Sequence, residues 1–526
     1  MTAGETIRDL LQRQARARGE APFLIFPERE QTLSYAQLAD GCAGVSRLLS
    51  EWGVVRGEKV ALLLPNIPEF CLFYWGAMAI GAVAAPINTL LKAPEIQFIV
   101  DHCEAGILVT TREFLPELAR IAEQLPHLRR LVVIPDPAID AATESAPQAA
   151  FPWPRHDIEP LTLTTRGQRD GFAAQGPLSA DDEAMIIYTS GTTGKPKGVL
   201  LTHGNLIANA TTIFQWFSLD ENSRFMCVLP LFHVNGEVVT LMTPLACGAS
   251  VVLCRKFSAS QFWPWVTTYG VTLFSAVPSI LSILTSRGRP QTPAPTLQFA
   301  ICGAAPLAVE THRQFEATFD FPVFEGYGLS ETTCYATFNP RDASRRKIGS
   351  IGLAAGDEVA IWGEDDQPLG PHQSGEIVIR GDNVMRGYFK RPDATEDAFR
   401  GGWFHSGDIG MRDADGFFYI LDRVKDMIIR GGENIYPREV DECLYQHPAI
   451  ADAATIGVPD ALYGEDVRSY VVLRDGATLD EAAVIAWCRE RLADFKCPKS
   501  VRFLAEIPKG PTGKLLRRAL RDLAEP

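Results

Sequence analysis

One stretch of the chain combines hydroxyl, glycine and lysine residues in a way that suits a phosphate group. It runs from Tyr188 to Gly198, reads YTSGTTGKPKG, and directly follows the strand-like residues Met185–Tyr188. Backbone amides beside glycine can approach an anion closely, hydroxyls donate hydrogen bonds, and lysines add positive charge. We therefore predict a triphosphate or pyrophosphate site formed by Thr189, Ser190, Gly191, Thr192, Thr193, Gly194, Lys195 and Lys197.

This stretch is not a Walker A loop, which has the pattern G-x-x-x-x-G-K-[ST]. Counting from Gly191 puts Pro196 where the second glycine belongs, and counting from Gly194 puts Val199 there. The P-loop kinases and GTPases are therefore excluded. The alternative without a function is a surface loop rich in glycine and threonine. The long and specific spacing of hydroxyl, glycine and lysine residues argues against it.

Further motifs follow in order along nearly the whole chain. They are Pro230–His233 (PLFH), Gly303–Pro306 (GAAP), Gly326–Glu331 (GYGLSE), Trp403–Asp408 (WFHSGD), Asp422–Lys425 (DRVK), Gly431–Asn434 (GGEN) and Pro511–Lys514 (PTGK). Together with the phosphate stretch they resemble the adenylate-forming superfamily, which includes acyl-CoA synthetases, adenylation domains of peptide synthetases, and luciferases. Because the motifs share the family's order, the resemblance is specific.

The resemblance implies an AMP-forming acid–thiol ligase. A carboxylic acid would attack ATP to give acyl-AMP and pyrophosphate, and CoA would then take the acyl group and release AMP. Positioning, Mg²⁺ and a lysine are the expected means of stabilising the charge on phosphorus. Glu331 is expected to hold Mg²⁺, which prefers carboxylate and phosphate oxygens. Ser330, where threonine is commoner, is expected to contact the α-phosphate.

The resemblance also implies the other nucleotide contacts. Asp408 is expected on a turn after Gly407, where its carboxylate would bind the ribose hydroxyls with Arg423 nearby. Lys514 resembles the catalytic lysine that reaches the carboxylate and the α-phosphate. The residues expected around adenine and the rest of the nucleotide are Gly303, Ala304, Ala305, Glu325, Gly326, Tyr327 and Gly328.

A mobile C-terminal domain is implied as well, with Lys425 in its hinge. The thiol is expected to pass along Arg430, Gly431 and Gly432, because CoA carries phosphates and glycine allows a close backbone approach. Further basic candidates on this path are Arg438, Lys496 and Lys499. Each of these charges could equally belong to a solvated face.

The resemblance also places the acyl pocket next to His233, which is expected to gate the pocket and the thiol path. A metal is not expected there, because no second histidine or cysteine lies at ligand spacing. The expected lining is His233, Val234, Asn235, Glu237, Ile280, Leu281, Cys302, Thr332, Thr333, Cys334 and Phe338. Most of these are apolar and fit a medium or long aliphatic acid or an aryl acid. Asn235 and Glu237 are more polar than usual there, so a polar or cationic acyl group stays open.

Several other functions stay open. The chain could be an acyl-AMP ligase that loads an acyl carrier protein instead of CoA. A non-catalytic nucleotide-binding module is a more distant alternative, disfavoured because Glu331, Asp408 and Lys514 are all present. A luciferase-like oxygenase is a remote one. An adenylation domain that activates amino acids is less favoured, because such domains commonly have an aspartate where this chain has His233.

An α/β fold must position these residues. Apolar strands alternate with helices, as in Lys59–Leu64, Pro68–Met78 and Val83–Ile87, which predicts mainly parallel sheets flanked by helices. We predict an N-terminal adenylation domain over residues 1–421, containing a β subdomain at about 351–421, a hinge at 422–425, and a small mobile α+β domain over 426–526. A long surface connection is predicted between Pro135 and Pro177.

Composition narrows the class of protein further. The 526 residues are 46% hydrophobic and 22% charged, as in soluble globular proteins. The net charge of −14 argues against a nucleic-acid partner. Eleven cysteines without a CxxC pair predict reduced thiols in the cytoplasm. The N-terminus lacks the apolar segment of a signal peptide. The longest apolar run, Cys71–Ile87, is shorter than the ~20 residues of a membrane span.

Overall fold

The structure is a computed structural model that describes residues 4–136, 151–158, 167–168, 171–173, 176–189, 196–290, 294–423, 426–430, 433–460, 462–510 and 515–523. Its helices, in chain order, are α1 (Ile7–Arg18), α2 (Tyr35–Glu51), α3 (Pro68–Met78), α4 (Ala93–His102), α5 (Leu115–Ala119), α6 (His203–Trp216), α7 (Thr243–Cys247), α8 (Phe262–Tyr269), α9 (Pro278–Arg287), α10 (Val309–Phe319), α11 (Pro392–Ala398), α12 (Pro437–Tyr445), α13 (Glu481–Arg489) and α14 (Arg517–Asp522). A π-helix, Asn235–Met242, lies between α6 and α7.

The strands up to residue 302 are β1 (Pro22–Phe26), β2 (Gln31–Ser34), β3 (Lys59–Leu63), β4 (Val83–Pro86), β5 (Ile107–Thr111), β6 (Arg130–Ile134), β7 (Arg155–Asp157), β8 (Glu183–Thr189), β9 (Lys197–Thr202), β10 (Arg224–Cys227), β11 (Ser250–Leu253), β12 (Leu273–Ala276) and β13 (Phe299–Cys302). Those that follow are β14 (Val323–Tyr327), β15 (Thr337–Phe338), β16 (Leu353–Ala354), β17 (Glu358–Trp362), β18 (Ser374–Arg380), β19 (Gly387–Tyr388), β20 (Phe399–Arg400), β21 (Trp403–Arg412), β22 (Phe418–Arg423), β23 (Ile428–Arg430), β24 (Glu433–Ile435), β25 (Ile450–Asp460), β26 (Gly464–Leu473) and β27 (Ser500–Phe503).

Two large, mainly parallel sheets form the N-terminal domain. The first has the order β16-β15-β14-β13-β12-β10-β11-β1-β2, and the second has the order β19-β9-β8-β4-β3-β5-β6-β7. Antiparallel strands are added only at their ends, as with β2, β15 and β16 in the first and β9 and β19 in the second. This confirms the predicted α/β class, in which strands buried on both faces are covered by helices.

The largest core cluster joins the two sheets. It contains Phe23 of β1 in the first sheet, Val60 of β3 in the second, and Trp75 of α3. Every residue of α3 is buried, which explains why this helix is apolar on all sides. The run that includes α3 therefore forms a buried helix leading into β4, as predicted. Among the described residues, no helix is both long and apolar enough to cross a membrane.

Two smaller sheets follow. The predicted β subdomain is the antiparallel sheet β17-β18-β21-β20, with β22 paired to β21. The smaller C-terminal domain has the sheet β24-β23-β26-β25, with β27 parallel to β26 and its own core around Val440 and Val471. The segment between Pro135 and Pro177 was predicted to be only a surface connection. It also contains β7, which extends the second sheet beside β6.

A buried ionic cluster ties the ends of the two large sheets together. Arg29, after β1, pairs with Glu69 of α3 (2.6 Å) and with Asp136 after β6 (3.4 Å). Arg255, after β11, pairs with the same Asp136. The side chains of Glu69 and Asp136 are 1% exposed. Burial raises the pKa of Glu69, and Arg29 opposes that shift.

Arg29→Met should lower the free energy of unfolding by about 3 kcal/mol, because it leaves a buried carboxylate without its partner. Urea unfolding followed by circular dichroism measures this. The matched control is Arg380→Met, which breaks the exposed pair with Glu358 and should leave the midpoint unchanged. A midpoint for Arg29→Met equal to that of the wild type would contradict the importance of the cluster.

Candidate functional site

The predicted phosphate stretch is the connection of an antiparallel hairpin. Strands β8 and β9 pair in register, with Tyr188 opposite Gly198 and Thr189 opposite Lys197. A Walker A loop instead leads from a strand into a helix, so the geometry agrees with its exclusion. Ser190, Gly191, Thr192, Thr193, Gly194 and Lys195 lie outside the described residues.

A short segment ties this hairpin to Glu331. Strand β19 pairs with β9, and Tyr388 of β19 donates a hydrogen bond to Oε1 of Glu331 (2.9 Å). The backbone N–H of Met385 donates to the carbonyl of Glu331 (2.8 Å). Nζ of Lys197 lies 4.6 Å from the centre of the Tyr388 ring. The structure thus brings Lys197 of β9 and Glu331, from the turn after β14, to the ring and the hydroxyl of Tyr388, respectively.

Sequence reasoning missed Tyr388 because it belongs to none of the motifs. Its position depends on the pairing of β19 with β9, two strands far apart in the chain. Burial and the nearby carboxylate of Glu331 raise the pKa of the Tyr388 hydroxyl, which therefore stays a hydrogen-bond donor. Tyr388 lies 57 residues after Glu331, so no local spacing connects the two.

The loop that carries Glu331 is held by asparagines. Ser330–Thr332 form a 3₁₀ turn, and Thr333 then has a left-handed backbone (φ 64°). Nδ2 of Asn383 donates to the carbonyls of Thr332 (3.0 Å) and Tyr335 (2.9 Å), and Asn209 donates to the latter as well (2.6 Å). Such backbone strain persists only where surrounding contacts enforce it.

Glu331 fits the predicted magnesium ion. No group of three or more histidine, cysteine, aspartate or glutamate side chains that could hold a metal occurs within the described parts of the chain. Mg²⁺ bound with a nucleotide needs only one or two carboxylates, because phosphate and water oxygens complete its coordination. The half-buried Glu331, beside the phosphate hairpin, has the right donor type.

Asp408 is held between two other predicted nucleotide residues. The hydroxyl of Tyr327 donates to its Oδ2 (2.7 Å), and Nε of Arg423 lies 3.1 Å from its Oδ1. The carboxylate is buried, with 4% of the residue exposed. Burial, with Asp408 adding to it, raises the pKa of Tyr327, so its hydroxyl stays protonated. Tyr327 and Arg423 therefore hold the Asp408 carboxylate between them.

The prediction that Asp408 lies on a turn was wrong, because it lies within β21. His405 pairs with Val378 and Ile409 with Glu376, so three residues of β21 oppose Ile377 alone. Gly407 in this bulge has a φ of 73°, which favours glycine. A bulge changes the direction of the side chains beside it. In the sequence alone, a glycine followed by an aspartate is equally compatible with a turn and with a bulge.

The other adenine motifs are packed closely against the loop after Glu331. Ala304 has a left-handed backbone (φ 68°). A Cβ at Gly303 would collide with the hydroxyl of Tyr335, and one at Gly328 would collide with the carbonyl of Cys334. Glycine is therefore required at both positions. Gly303 and Ala305 flank Ala304 directly after β13, and Gly326 lies at the end of β14.

Glu325 is one of the residues expected around the nucleotide. Its carboxyl is buried at the contact with the C-terminal domain, near Arg438 of α12. Burial raises its pKa to about 7, Arg438 opposes this shift and Glu442 adds to it. Glu442 also accepts a hydrogen bond from the backbone of Val309 at the start of α10 (3.4 Å).

The basic residues predicted for the thiol path are paired with carboxylates. Arg430 contacts Asp466 (2.8 Å) and lies over the ring of Tyr463 (4.4 Å). The remaining pairs are Lys496 with Glu439, Lys499 with Asp460, and the buried Arg438 with Glu442. Gly431, Gly432, the hinge residue Lys425 and Lys514 lie outside the described residues.

Asn235, one of the predicted acyl residues, is held by two residues that the sequence analysis did not single out. The hydroxyl of Ser275 donates to Oδ1 of Asn235 (2.6 Å), and Nδ2 of Asn235 donates to the hydroxyl of Tyr335 (3.2 Å). Burial lowers the pKa of His233 to about 4, so its ring is neutral at pH 7. The other predicted lining residues, mostly buried, are Val234, Glu237, Ile280, Leu281, Cys302, Thr332, Thr333, Cys334 and Phe338.

Comparisons with known proteins agree with this geometry. The AMP-binding enzyme family matches residues 11–389, and the AMP-binding enzyme C-terminal domain matches residues 439–514. The chain belongs to the AMP-binding enzyme family. It is an AMP-forming acid–thiol ligase, the class to which acyl-CoA synthetases belong.

Two relatives and one structure illustrate the similarity. A sulfoacetate–CoA ligase from Cupriavidus necator is 39% identical, covering 99% of this chain and 98% of its own. An oxalate–CoA ligase from Arabidopsis thaliana is 35% identical, covering 94% and 95%. The crystal structure of the anthranilate CoA ligase AuaEII with anthranoyl-AMP is 25% identical, with a TM-score of 0.88, covering 100% and 98%.

In this AMP-binding enzyme, Tyr388→Phe should lower kcat/KM for acid-dependent ATP–pyrophosphate exchange by about tenfold, because one hydrogen bond to Glu331 is lost. The matched control is Tyr419→Phe, whose hydroxyl donates to Asp413 in the β subdomain. Exchange by Tyr388→Phe at the wild-type rate, or an equal loss in both variants, would remove Tyr388 from the site.

Glu325 should make stability depend on pH. Between about pH 4.5 and about pH 7 the folded enzyme holds a proton at Glu325 that the unfolded chain has released, so stability falls as pH rises through this window. Urea unfolding of wild type and Glu325→Gln across the window should show a smaller fall in the variant. Glu364→Gln, at an exposed position, is the control. Parallel curves for wild type and Glu325→Gln would exclude this titration.

Proposed function

We propose that the chain is an acyl-CoA ligase that joins CoA to a carboxylic acid whose acyl part is uncharged and aliphatic or aryl. The acid attacks the α-phosphorus of ATP, pyrophosphate leaves, and the CoA thiol then displaces AMP from the acyl-AMP. The observation that carries this proposal is the contact of Lys197, Tyr388 and Glu331, which puts a cation and a carboxylate beside one hairpin. Such a pair suits a nucleotide bound with a metal.

The nucleotide residues divide the binding among them. The β8–β9 hairpin, with Thr189 and Lys197, holds the phosphates, and Ser330 donates to the α-phosphate. Asp408 binds the ribose hydroxyls, since a carboxylate can accept two hydrogen bonds, and Tyr327 and Arg423 keep it in place. Glu331 would hold Mg²⁺, which supplies charge stabilisation at the phosphates.

Lys514 is proposed to reach the reacting carboxylate from the C-terminal domain. The neighbouring helix α14 is anchored by Arg517, which pairs with Asp441 (2.8 Å) and lies 3.9 Å from Asp422. These contacts fix the chain directly after the lysine. We assign the adenylation domain to residues 1–421, the hinge, with Lys425, to residues 422–425, and the mobile domain to residues 426–526.

The thiol path is proposed to run along Arg430, Gly431 and Gly432. CoA is the thiol because the relatives are named as CoA ligases. The cysteines are free thiols, mostly buried, which fits a reducing compartment and a cytoplasmic enzyme.

The acyl part is proposed to be aliphatic or aryl because most of the predicted lining residues are apolar. Val234, Ile280, Cys302 and Cys334 are buried or half-buried there. Burial without a paired cation would be costly for a second anionic group. The second candidate is nevertheless a small acid with two anionic groups, because two relatives are named for sulfoacetate and oxalate.

Incubation of the enzyme with ATP, Mg²⁺, CoA and a pool of carboxylic acids should give a CoA thioester, read by mass spectrometry. The pool spans fatty acids, aryl acids, sulfoacetate and oxalate. An uncharged aliphatic or aryl acyl-CoA supports the first candidate, and sulfoacetyl- or oxalyl-CoA supports the second. Acid-dependent AMP without any thioester would contradict CoA as acceptor.

Lys514→Ala should lower acid-dependent ATP–pyrophosphate exchange by about 100-fold or more, because a charge that stabilises the transition state is lost. Lys509→Ala, in the same part of the chain and paired with Asp452, is the matched control and should keep the activity. Exchange by Lys514→Ala at the control rate would exclude the proposed role of this lysine.

A further inference from the structure

A buried carboxyl group near the proposed acyl pocket has no use in the reaction as described. Glu237 is completely buried on the π-helix Asn235–Met242. Neither of its carboxyl oxygens has a hydrogen-bond partner in the described parts of the chain. Because buried polar groups are almost always paired in folded proteins, an exception of this kind calls for an explanation.

The backbone holds Glu237 in a defined place. Its N–H donates to the carbonyl of His233 (3.1 Å), the last residue of the PLFH motif. A Cβ on the preceding Gly236 would collide with the carbonyl of Pro230, so only glycine fits there. π-helical segments are rare and are frequently found at functional sites.

A series of contacts leads from the nucleotide motifs to this position. Gly303 packs against the hydroxyl of Tyr335, which accepts a hydrogen bond from Asn235 at the start of the π-helix. Cys334, next to Tyr335 in the chain, and Tyr74 of α3 lie so close to Glu237 that an ionised Glu237 carboxylate would raise the pKa of each. Glu237 therefore lies beside Cys334 in the loop that follows Glu331.

The surroundings of Glu237 keep it neutral. Burial raises its pKa well above the ordinary range. No ion pair joins it to a lysine or arginine among the described residues, and burial also keeps Tyr74 and Cys334 protonated. A neutral carboxyl offers one O–H donor and one carbonyl acceptor.

This chemistry distinguishes between classes of acid. A second anionic group would lose its hydration without meeting a positive charge, and a cationic group would require Glu237 to ionise inside the protein. A hydroxyl or carbonyl oxygen can pair with the neutral carboxyl without moving any charge. Such a contact would satisfy both partners.

We propose that Glu237 determines specificity in the acyl site and hydrogen-bonds an uncharged polar group on the acyl part of the acid. The substrates would be hydroxy- or oxo-substituted aliphatic acids or hydroxyaryl acids. The proposal rests on the proposed function, from which it takes the location of the acyl pocket.

The test compares matched acids in wild type, Glu237→Gln and Glu237→Leu. The pairs are hexanoate with 6-hydroxyhexanoate and benzoate with 4-hydroxybenzoate, with 6-aminohexanoate and adipate as the cationic and dianionic arms. Two readouts are used: kcat/KM for acid-dependent pyrophosphate exchange, and binding of each acid by calorimetry in the presence of a non-hydrolysable ATP analogue. Thr240→Val, on the same π-helix, controls for disturbance of the helix.

Wild type should prefer at least one hydroxylated acid over its parent by about tenfold or more, because a site built around a hydrogen bond rejects the analogue that lacks it. Glu237→Gln and Thr240→Val should keep this preference, and Glu237→Leu should abolish it in both readouts. An unchanged ranking in Glu237→Leu, or the best activity with 6-aminohexanoate or adipate, would overturn the proposal.

The two readouts separate this proposal from the proposed function. A preference seen in binding without any exchange would mean that the ligase function fails while the role of Glu237 stands. If exchange and thioester formation occur but Glu237→Leu ranks the acids as the wild type does, the ligase function stands and the role of Glu237 fails. Absence of acid binding in every form would overturn both.

Discussion

The pairing of β19 with β9 is the contact on which the site depends. Each of the two large sheets positions one part of the proposed phosphate site: the β8–β9 hairpin belongs to the second sheet, and Glu331 follows β14 of the first. The segment from Met385 to Phe389 bonds to both, through Leu200 and Gly198 on one side and Glu331 on the other. Without this segment, no contact described here would connect Lys197 of the hairpin with Glu331.

Burial sets the chemistry of the remaining polar groups. Asp408 is buried but held by Tyr327 and Arg423, so its carboxylate has a fixed direction. Glu325 is buried against Arg438 where the C-terminal domain docks, and its pKa of about 7 couples that contact to proton binding. Glu237 is buried, and its carboxyl oxygens have no hydrogen-bond partner in the part of the chain that the structure describes. The three carboxyl groups are alike in chemistry but differ in their neighbours, and those neighbours set the protonation and direction of each.

Much of the fold could be read from local patterns. Helix α3 has the predicted bounds, and strands β3 and β4 each end one residue before the predicted bound, because turn residues and apolar runs mark these elements clearly. The motif residues near Glu331 and Asp408 could be named because they lie in short local motifs that resemble those of the adenylate-forming superfamily. Tyr388, Asn209 and Asn383 were not, since their roles arise from pairing between distant segments. The bulge at Gly407 was mistaken for a turn because both need the same glycine.

Local sequence patterns also could not predict that Arg438, in the C-terminal domain, is buried near Glu325 of the N-terminal domain. A basic residue after a proline looks like a solvent-exposed charge, and only the packing of α12 on α10 shows its surroundings. Sequence patterns give residue types and spacing, while the charge state and direction of a side chain depend on neighbours from other elements.

The transfer of a carboxylate oxygen tests the central claim most directly. The acid that supports the fastest exchange is labelled with heavy oxygen in its carboxylate and turned over with ATP, Mg²⁺ and CoA. If the acid attacks the α-phosphorus, one labelled oxygen must appear in the AMP that is released. Label in phosphate or pyrophosphate, with none in AMP, would contradict an acyl-AMP intermediate and the account built on it.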